Sequence, residues 1–201
     1  DLSGGMLFPL LCLTAISAII LGMGMTTTAV YITVAALIVP SLIQAGVTPI
    51  AAHMFAFYFG VVSTITPPVA LASFAGAAIA KSPPMATAVE SSKVGIAKYI
   101  VPFAFIYNPA LLMEGSYWIS LYSLLSVLLA YWSMTLGLEG YLNKPLNVYT
   151  RIIAFISSIL LLLPPLSIFY GISGFLLNGV GLVILIFVYL IQGKFKLGHV
   201  K

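Results

Sequence analysis

Charge is scarce in this sequence. Only 6% of its 201 residues are charged, four acids against eight lysines and arginines, while 62% are hydrophobic and the mean hydropathy is +1.18. No soluble domain of this length has so little charged surface to offer to water. Apolar runs of the roughly 20 residues that a helix needs to cross a bilayer recur along the chain. The composition therefore predicts an integral membrane protein.

The residues that catalytic and metal centres need are also scarce. The four acids and two histidines lie in different segments, without metal-ligand spacing, a phosphate loop or a nucleophile elbow. Cys12 is the single cysteine, so no disulfide forms within the chain. The positive charge sits in short connectors and in the segment Gln192–Lys201, where membrane proteins usually carry it. These absences argue against an enzyme, a bound cofactor and a nucleic-acid partner, and leave membrane lipid as the surrounding medium.

The block from Met6 to Ala45 is too long for one membrane span. As a single helix it would be roughly 60 Å long, against a hydrocarbon thickness of about 30 Å. Two glycines and three threonines interrupt it at Gly22–Thr28 and are poor helix formers. We expect two spans or one long broken helix, with hydroxyls facing whatever the turn encloses. A flexible loop between two helices is the plain alternative.

A second interruption, Ser63–Pro68, is rich in hydroxyls and carries two consecutive prolines. Proline lacks an N–H and disfavours a helical conformation in the residue before it. Freed backbone groups in a membrane need partners, so such a break lies inside protein or beside a water-filled cavity. The flanking pieces, Ile50–Val62 and Val69–Ala80, are roughly 20 Å long each and too short to span comfortably. They predict a re-entrant hairpin, with a single broken span or an ordinary proline kink as alternatives.

Three other polar features lie in or beside the apolar runs. His53 is interpreted as a packed or interfacial residue rather than a ligand. The segment Lys81–Lys98 predicts a short amphipathic helix in the membrane interface or a solvated connector. Asn108 lies deep in the run Tyr99–Met113, where it either lines a pathway or bonds a neighbouring helix.

The C-terminal third is more uniform. Tyr117–Leu138 predicts a full span with Tyr117 and Trp118 as an interfacial anchor. Ile152–Leu163 predicts a further helix, and Leu166–Ile191 a second span. This third carries no polar cluster comparable to the two interruptions, and we interpret it as scaffold.

The broken elements contain hydroxyls, amides and carbonyls but no acid. Proton-coupled carriers usually need an intramembrane carboxylate or histidine. Hard, neutral oxygen ligands suit Na⁺ or a polar solute better than a transition metal. The pattern therefore favours Na⁺ as a coupling ion over a proton.

Several short motifs together resemble one transporter family. They are the segment Gly22–Ala29, the turn Gly46–Pro49, His53 and the segment Thr66–Ala70, in this order and spacing. In this combination the chain resembles the second half of the large permease subunit of TRAP (tripartite ATP-independent periplasmic) transporters. The stretches Val101–Leu112 and Leu138–Leu142 resemble, more narrowly, the fused permeases that work with TAXI-type binding proteins.

The resemblance implies an all-α integral membrane protein of the inner membrane with an elevator-type fold. One inverted repeat would consist of a broken transmembrane helix and a re-entrant helical hairpin, followed by additional transmembrane helices. Residues 1–98 would form this half of the transport core, and residues 99–201 the scaffold-like helices. The chain opens at Asp1 without a methionine, so we expect the first repeat upstream in the same polypeptide.

The resemblance also implies the activity: Na⁺-driven import of small organic anions such as carboxylates. The partners would be a periplasmic TAXI-type solute-binding protein and a small permease subunit or its fused equivalent. The implied substrate site comprises Ser63, Thr64, Thr66, Pro67 and Pro68, to which the residue pattern adds Asn108. The implied Na⁺ site comprises Gly22, Gly24, Thr26, Thr27, Thr28 and Thr66.

Two other functions compete with this interpretation. One is a proton-coupled carrier or a channel that works without a binding protein. The other is a membrane scaffold subunit that transports nothing, although a scaffold would have no reason to break two helices with hydroxyl clusters.

Overall fold

The computed structural model describes residues 6–142, 144–169 and 171–193, and nearly all of them are helical. The basic segment predicted at Gln192–Lys201 lies outside the described residues from Lys194 onward. The helices are α1 (Leu7–Gly22), α2 (Thr27–Leu37), α3 (Val39–Gln44), α4 (Pro49–Val62), α5 (Leu71–Ala80), α6 (Pro84–Val94), α7 (Ala97–Tyr107), a 3₁₀ turn at Pro109–Leu112, α8 (Tyr117–Glu139), α9 (Val148–Leu162) and α10 (Gly174–Gly193).

Two described helices, Tyr117–Glu139 and Gly174–Ile191, are long and apolar enough to cross a membrane. The chain packs as two compact units, Asp1–Leu112 and Met113–Lys201, each with its own core. The functional boundary predicted after Lys98 stays a prediction.

Helix α4 is the centre of the first unit and packs against α1, α2 and α7. Small residues at a four-residue spacing, Ala52, Ala56 and Gly60, are buried along one side of it, and small residues allow helix backbones to approach closely. On another side Phe55 is fully buried with its ring edge-on to Phe103 of α7, the centroids 5.3 Å apart. Close backbone packing and ring contacts together fix the position of α4.

The first interruption is present where the sequence predicts it. Helix α1 ends at Gly22, and Gly24 adopts a left-handed backbone with φ +79°, which glycine reaches without the usual steric cost. Helix α2 then begins at Thr27. The apolar run that follows is not one helix: it ends at Leu37 and restarts as α3, because Pro40 lacks an N–H and fits only the first turn of a helix.

The second interruption is also present but longer than predicted. Helix α4 ends at Val62, and α5 begins at Leu71 rather than at Val69, because Leu71 N–H is held by Val69 O at 3.0 Å in a tight turn. Helix α5 packs chiefly against α6, and its contact with α4 is slight. The two arms therefore do not lie side by side as a closed hairpin would place them. The re-entrant hairpin stays a prediction beside the single broken span.

Helix α6 lies within Lys81–Lys98, where the sequence predicts a short amphipathic helix or a solvated connector. Met85, Val89 and Val94 are exposed, and Ala88 is the fully buried residue. The small Ala88 packs inward because α6 lies close against its neighbours. The exposed apolar side chains fit a helix that lies in a membrane interface.

In the second unit α9 packs against both α8 and α10. The prediction of one continuous span over Leu166–Ile191 is wrong at its start. Residues Ile168–Phe169 (β1) and Ile172–Ser173 (β2) form a two-residue antiparallel pair, and α10 begins only at Gly174. Gly171, with φ +83°, allows the reversal between the two strands.

Buried serines of this unit bond the backbone of neighbouring helices, and the interpretation of the C-terminal third as scaffold stays a prediction. Ser126 Oγ donates to Leu161 O at 2.7 Å, Ser133 Oγ to Ala154 O at 2.8 Å, and Ser157 Oγ to Gly181 O at 2.7 Å. These buried hydroxyls lie in the middle of helices and bond the backbone of the neighbouring helix. They join continuous helices and create no opening between them.

Candidate functional site

The two interruptions meet in the first unit. A Cβ built on Gly22, the last residue of α1, would lie 2.5 Å from Ser63 Oγ and 2.8 Å from Gly60 O of α4. A Cβ on Gly60 would lie 2.5 Å from Val30 Cγ1 of α2. The end of α4 is therefore wedged against both the end of α1 and the first turns of α2. Two regions more than 30 residues apart in the chain form one locus, which we call the break site (residues 22–28 and 60–73).

The hydroxyl groups of the second interruption donate hydrogen bonds to backbone carbonyls of the preceding helix, α4. Ser63 Oγ donates to Gly60 O at 2.6 Å, Thr64 Oγ1 to Val61 O at 2.8 Å, and Thr66 Oγ1 to Val62 O at 2.7 Å. The last carbonyls of a helix have no partner within it and carry partial negative charge. Each hydroxyl proton is directed at a carbonyl in the last turn of α4, and two of these carbonyls, Val61 O and Val62 O, also accept backbone N–H groups of the turn that follows.

Thr66 is also held from the side. Its Oγ1 lies 2.7 Å from Tyr99 Oη of α7, and Ser92 Oγ of α6 donates to Ile65 O at 3.0 Å. Tyr99 Oη lies 3.4 Å from Ser92 Oγ and links the two contacts. The junction of α6 and α7 therefore clamps the second interruption.

The start of α5 contains one buried hydroxyl, that of Ser73, without a hydrogen-bond partner among the described residues. Prolines 67 and 68 precede it, and the peptide bond between them is cis. Ala72 N–H donates to Thr64 O at 3.0 Å. Ser73 is buried in the first turn, yet its Oγ has no hydrogen-bond partner among the described residues. A buried hydroxyl without a partner is uncommon in a well-packed protein.

The threonines of the first interruption differ from those of the second. Thr26, Thr27 and Thr28 are exposed at the start of α2, and Thr26 makes no side-chain capping bond. The N-terminal turn of α2 therefore presents its free N–H groups beside uncommitted hydroxyls.

Asn108 and His53 lie away from the break site. Asn108 is buried at the far end of α7, about 13 Å along the helix from Tyr99 at 1.5 Å per residue. His53 lies in the first half of α4, where its Nδ1 is 3.0 Å from Tyr31 Oη of α2. Of the predicted site residues, the structure brings Gly22 of the first interruption against Ser63 of the second, and it places Asn108 elsewhere in the unit.

The electrostatics of the break site come from helix ends. Two C-termini, of α1 and α4, carry partial negative charge, and two N-termini, of α2 and α5, carry partial positive charge. The described residues include no group of three or more His, Cys, Asp or Glu that could hold a metal ion. The arrangement offers oxygen ligands to a weakly held cation and N–H groups to an anion.

Four residues of this site were not predicted from the sequence. Gly60 and Ser73 lie inside apolar runs, and Tyr99 begins the apolar run Tyr99–Met113. Ser92 lies in the segment Lys81–Lys98, which was predicted to be an amphipathic helix or a connector. The small residues Ala52, Ala56 and Gly60 at four-residue spacing are the one signal that could have identified Gly60 as a close contact.

Comparison with known proteins gives one finding. A family described as "Tripartite ATP-independent periplasmic transporter, DctM component" matches residues 1–117. This match covers the whole first unit and the first residue of α8. No curated protein and no solved structure matches the chain.

Proposed function

The chain belongs to the DctM family of tripartite ATP-independent periplasmic transporters, and on this premise we propose that it forms part of a permease that imports small organic anions such as carboxylates, driven by Na⁺. Members of this family are integral permeases of the inner membrane, not enzymes. They carry out secondary transport with a periplasmic binding protein and a small subunit.

One observation carries the proposal: the contact of Gly22 with Ser63 and Gly60 O, which brings two interrupted helices together. Discontinuous helices in transporters bind anionic groups at half-helix N-termini and coordinate Na⁺ with unwound carbonyls and C-terminal ends. The break site has helix ends of both kinds. A cation and an anion bound there would stabilise each other, which couples their transport.

For Na⁺ we propose the carbonyls and hydroxyls of Gly22, Gly24, Thr26, Thr27 and Thr28, together with Thr66. The hydroxyl proton of Thr66 is directed at Val62 O, so its oxygen is oriented to coordinate a cation.

For the substrate we propose the second interruption, comprising Ser63, Thr64, Thr66, Pro67 and Pro68. The N-terminal turn of α5 with the unpartnered hydroxyl of Ser73 would receive the carboxylate. Asn108 was also predicted to bind substrate. Because it lies at the far end of α7, this would require substrate to reach that end, and the role of Asn108 stays a separate proposal.

Four further features of the permease are also proposals. They are an elevator mechanism, a re-entrant hairpin, a first repeat upstream in the same polypeptide, and a TAXI-type binding protein with a fused small subunit. Support for them comes from the sequence resemblance and from the interruption of helices in the first unit.

The experiment is uptake by the full-length permease in proteoliposomes. Labelled dicarboxylates, amino acids and sugar acids are added with and without the cognate binding protein and a Na⁺ gradient. We expect uptake only when both are present. Uptake that needs no Na⁺ gradient contradicts the proposal.

A proton-coupled carrier is the second candidate, and the hydrogen bond between His53 and Tyr31 favours it. Histidines inside apolar helices are among the side chains that carry protons in proton-coupled carriers. Uptake driven by a pH gradient alone and abolished by His53→Gln would establish this candidate in place of the first.

A further inference from the structure

An open surface pocket of about 450 Å³, which we call the cavity, lies beside the second interruption, between α6 and the first turn of α7. Ile65, Val94 and Gly95 give it an apolar part, and Thr87, Ser91 and Lys98 give it a polar part. Its volume lies in the range of roughly 300–1,000 Å³ that small-molecule sites occupy. None of these residues belongs to the break site except Ile65.

The charges around the cavity do not cancel. Glu90 also lines it, but Glu90 Oε1 is 2.6 Å from Lys93 Nζ, so this acid already has a cation beside it. The ammonium of Lys98 and the hydroxyl of Ser91 take part in none of the ion pairs or side-chain hydrogen bonds found among the described residues. The cavity thus offers one uncompensated positive charge, a free hydroxyl and an apolar wall.

The cavity lies on a side of α6 that carries polar side chains. At about 100° per residue, Thr87, Ser91 and Val94 lie on this side of α6, and Met85 and Val89 lie on the opposite side. Val94 is 76% exposed, so apolar side chains are exposed on both sides of α6. The hydroxyls of Thr87 and Ser91 and the ammonium of Lys98 are groups that a water-soluble anion would bind.

The cavity is joined directly to the clamp on the second interruption. Ser92, next to Ser91, donates to Ile65 O, and Tyr99, next to Lys98, holds Thr66. A ligand in contact with Ile65 and Lys98 would therefore touch both the interruption and the two helices that clamp it.

We infer that this cavity is a binding subsite for the carboxylate of a small organic anion. Lys98 pairs with the carboxylate, Ser91 donates a hydrogen bond to it, and Ile65 and Val94 contact the carbon skeleton. The inference rests on the proposed function and adds a place where the anion is held next to the break site.

The test uses the full-length permease with its binding protein in proteoliposomes, with radiolabelled succinate, glutamate and gluconate as probes. For the probe that the unmodified permease takes up, Lys98→Gln should raise the half-saturating concentration about tenfold, which a charge-assisted hydrogen bond accounts for. Lys98→Arg should stay within about threefold of the unmodified permease. Lys81→Gln is the matched control, because Lys81 carries the same charge and does not line the cavity; it should change nothing.

A second measurement does not depend on transport. In a permease whose other cysteines are replaced, the probes should slow maleimide labelling of Lys98→Cys and leave Lys81→Cys unaffected. If no probe is taken up in the presence of a Na⁺ gradient but the probes still slow labelling of Lys98→Cys, the proposed function is refuted and the binding subsite is supported.

Two outcomes overturn the subsite. One is equal half-saturation in Lys98→Gln and Lys81→Gln with no protection of Lys98→Cys. The other is an effect of Lys98→Gln that occurs only in vesicles containing phosphatidylglycerol and vanishes in phosphatidylcholine, which would identify a lipid headgroup as the occupant.

Discussion

The two units use the same side-chain chemistry in opposite ways. In the first unit the hydroxyls of Ser63, Thr64 and Thr66 lie where a helix has ended, and they bond carbonyls in the last turn of that helix. In the second unit Ser126 and Ser133 lie inside a continuous helix and bond the backbone of its neighbour. Position relative to a helix end thus distinguishes the hydroxyls that we propose as ligands from those that join two helices.

The largest effect is expected where the two interruptions touch. Gly22→Ala in the full-length permease should abolish uptake, because its Cβ would lie 2.5 Å from Ser63 Oγ and 2.8 Å from Gly60 O. Overpacking of this kind typically costs about 1–3 kcal/mol of folding free energy. Uptake in proteoliposomes and thermal unfolding in detergent measure the two consequences.

Gly76→Ala is the control for this change. Gly76 is helical in the same unit and has no atom within 4 Å of a built Cβ, so uptake should stay normal. Adding Ser63→Gly to Gly22→Ala removes one of the two obstructing groups and should restore part of the lost thermal stability, which is measured because Ser63 is itself a proposed substrate residue. Normal uptake by Gly22→Ala alone would show that the close approach is not needed.

The next effect concerns the ion. Thr66→Ala and Thr27→Ala should each raise the Na⁺ concentration for half-maximal uptake about tenfold, because each removes a proposed ligand oxygen. Tyr99→Phe should raise it about threefold, since it removes only the hydroxyl that holds Thr66. Thr135→Ala is the matched control, because its hydroxyl bonds Tyr131 O within α8. Unchanged Na⁺ dependence in both threonine variants of the first unit would refute the ion site.

A smaller effect is expected in the second unit. Ser133→Ala should lower the free energy of unfolding by about 0.6–1 kcal/mol, the usual size for a hydroxyl that bonds a neighbouring membrane helix. The Na⁺ dependence of uptake should not change. A shift in Na⁺ dependence would mean that the hydroxyls of this unit do more than join helices.

The smallest expected effect is a slight gain in stability, in contrast to the loss expected for Ser133→Ala. Ser123 is fully buried on α8, and its Oγ has no hydrogen-bond partner among the described residues. Ser123→Ala should leave stability unchanged or raise it by a few tenths of a kcal/mol, because burying an unpaired hydroxyl is unfavourable. Thermal unfolding of Ser123→Ala beside Ser133→Ala checks this, and a clear loss of stability in Ser123→Ala would reveal a partner.

The two helix interruptions could be predicted from the sequence, but the residues that contact them could not. Glycines, threonines and prolines at 22–28 and 63–68 act on the local backbone, so their effect is visible in the sequence. The contact between Gly22 and Ser63 depends on tertiary packing of α1 on α4, which no local pattern records. Tyr99 and Ser92 were missed for the same reason, because their contacts join α6 and α7 to a distant turn.

The serines of α8 show a different limit. A serine inside an apolar helix has the same local sequence whether it bonds a neighbouring backbone, as Ser126 does, or has no partner, as Ser123 does. The start of α10 was missed because residues 168–173 are apolar enough for a helix, and only the reversal at Gly171 interrupts them.

The fit of Gly22 against Gly60 and Ser63 constrains how the first unit can move. This contact leaves no room for a methyl group. One helix end therefore cannot slide along the other unless the two helices first move apart. Gly24 and Gly46 differ from Gly22 in this respect, because no atom lies within 4 Å of a Cβ built on either of them.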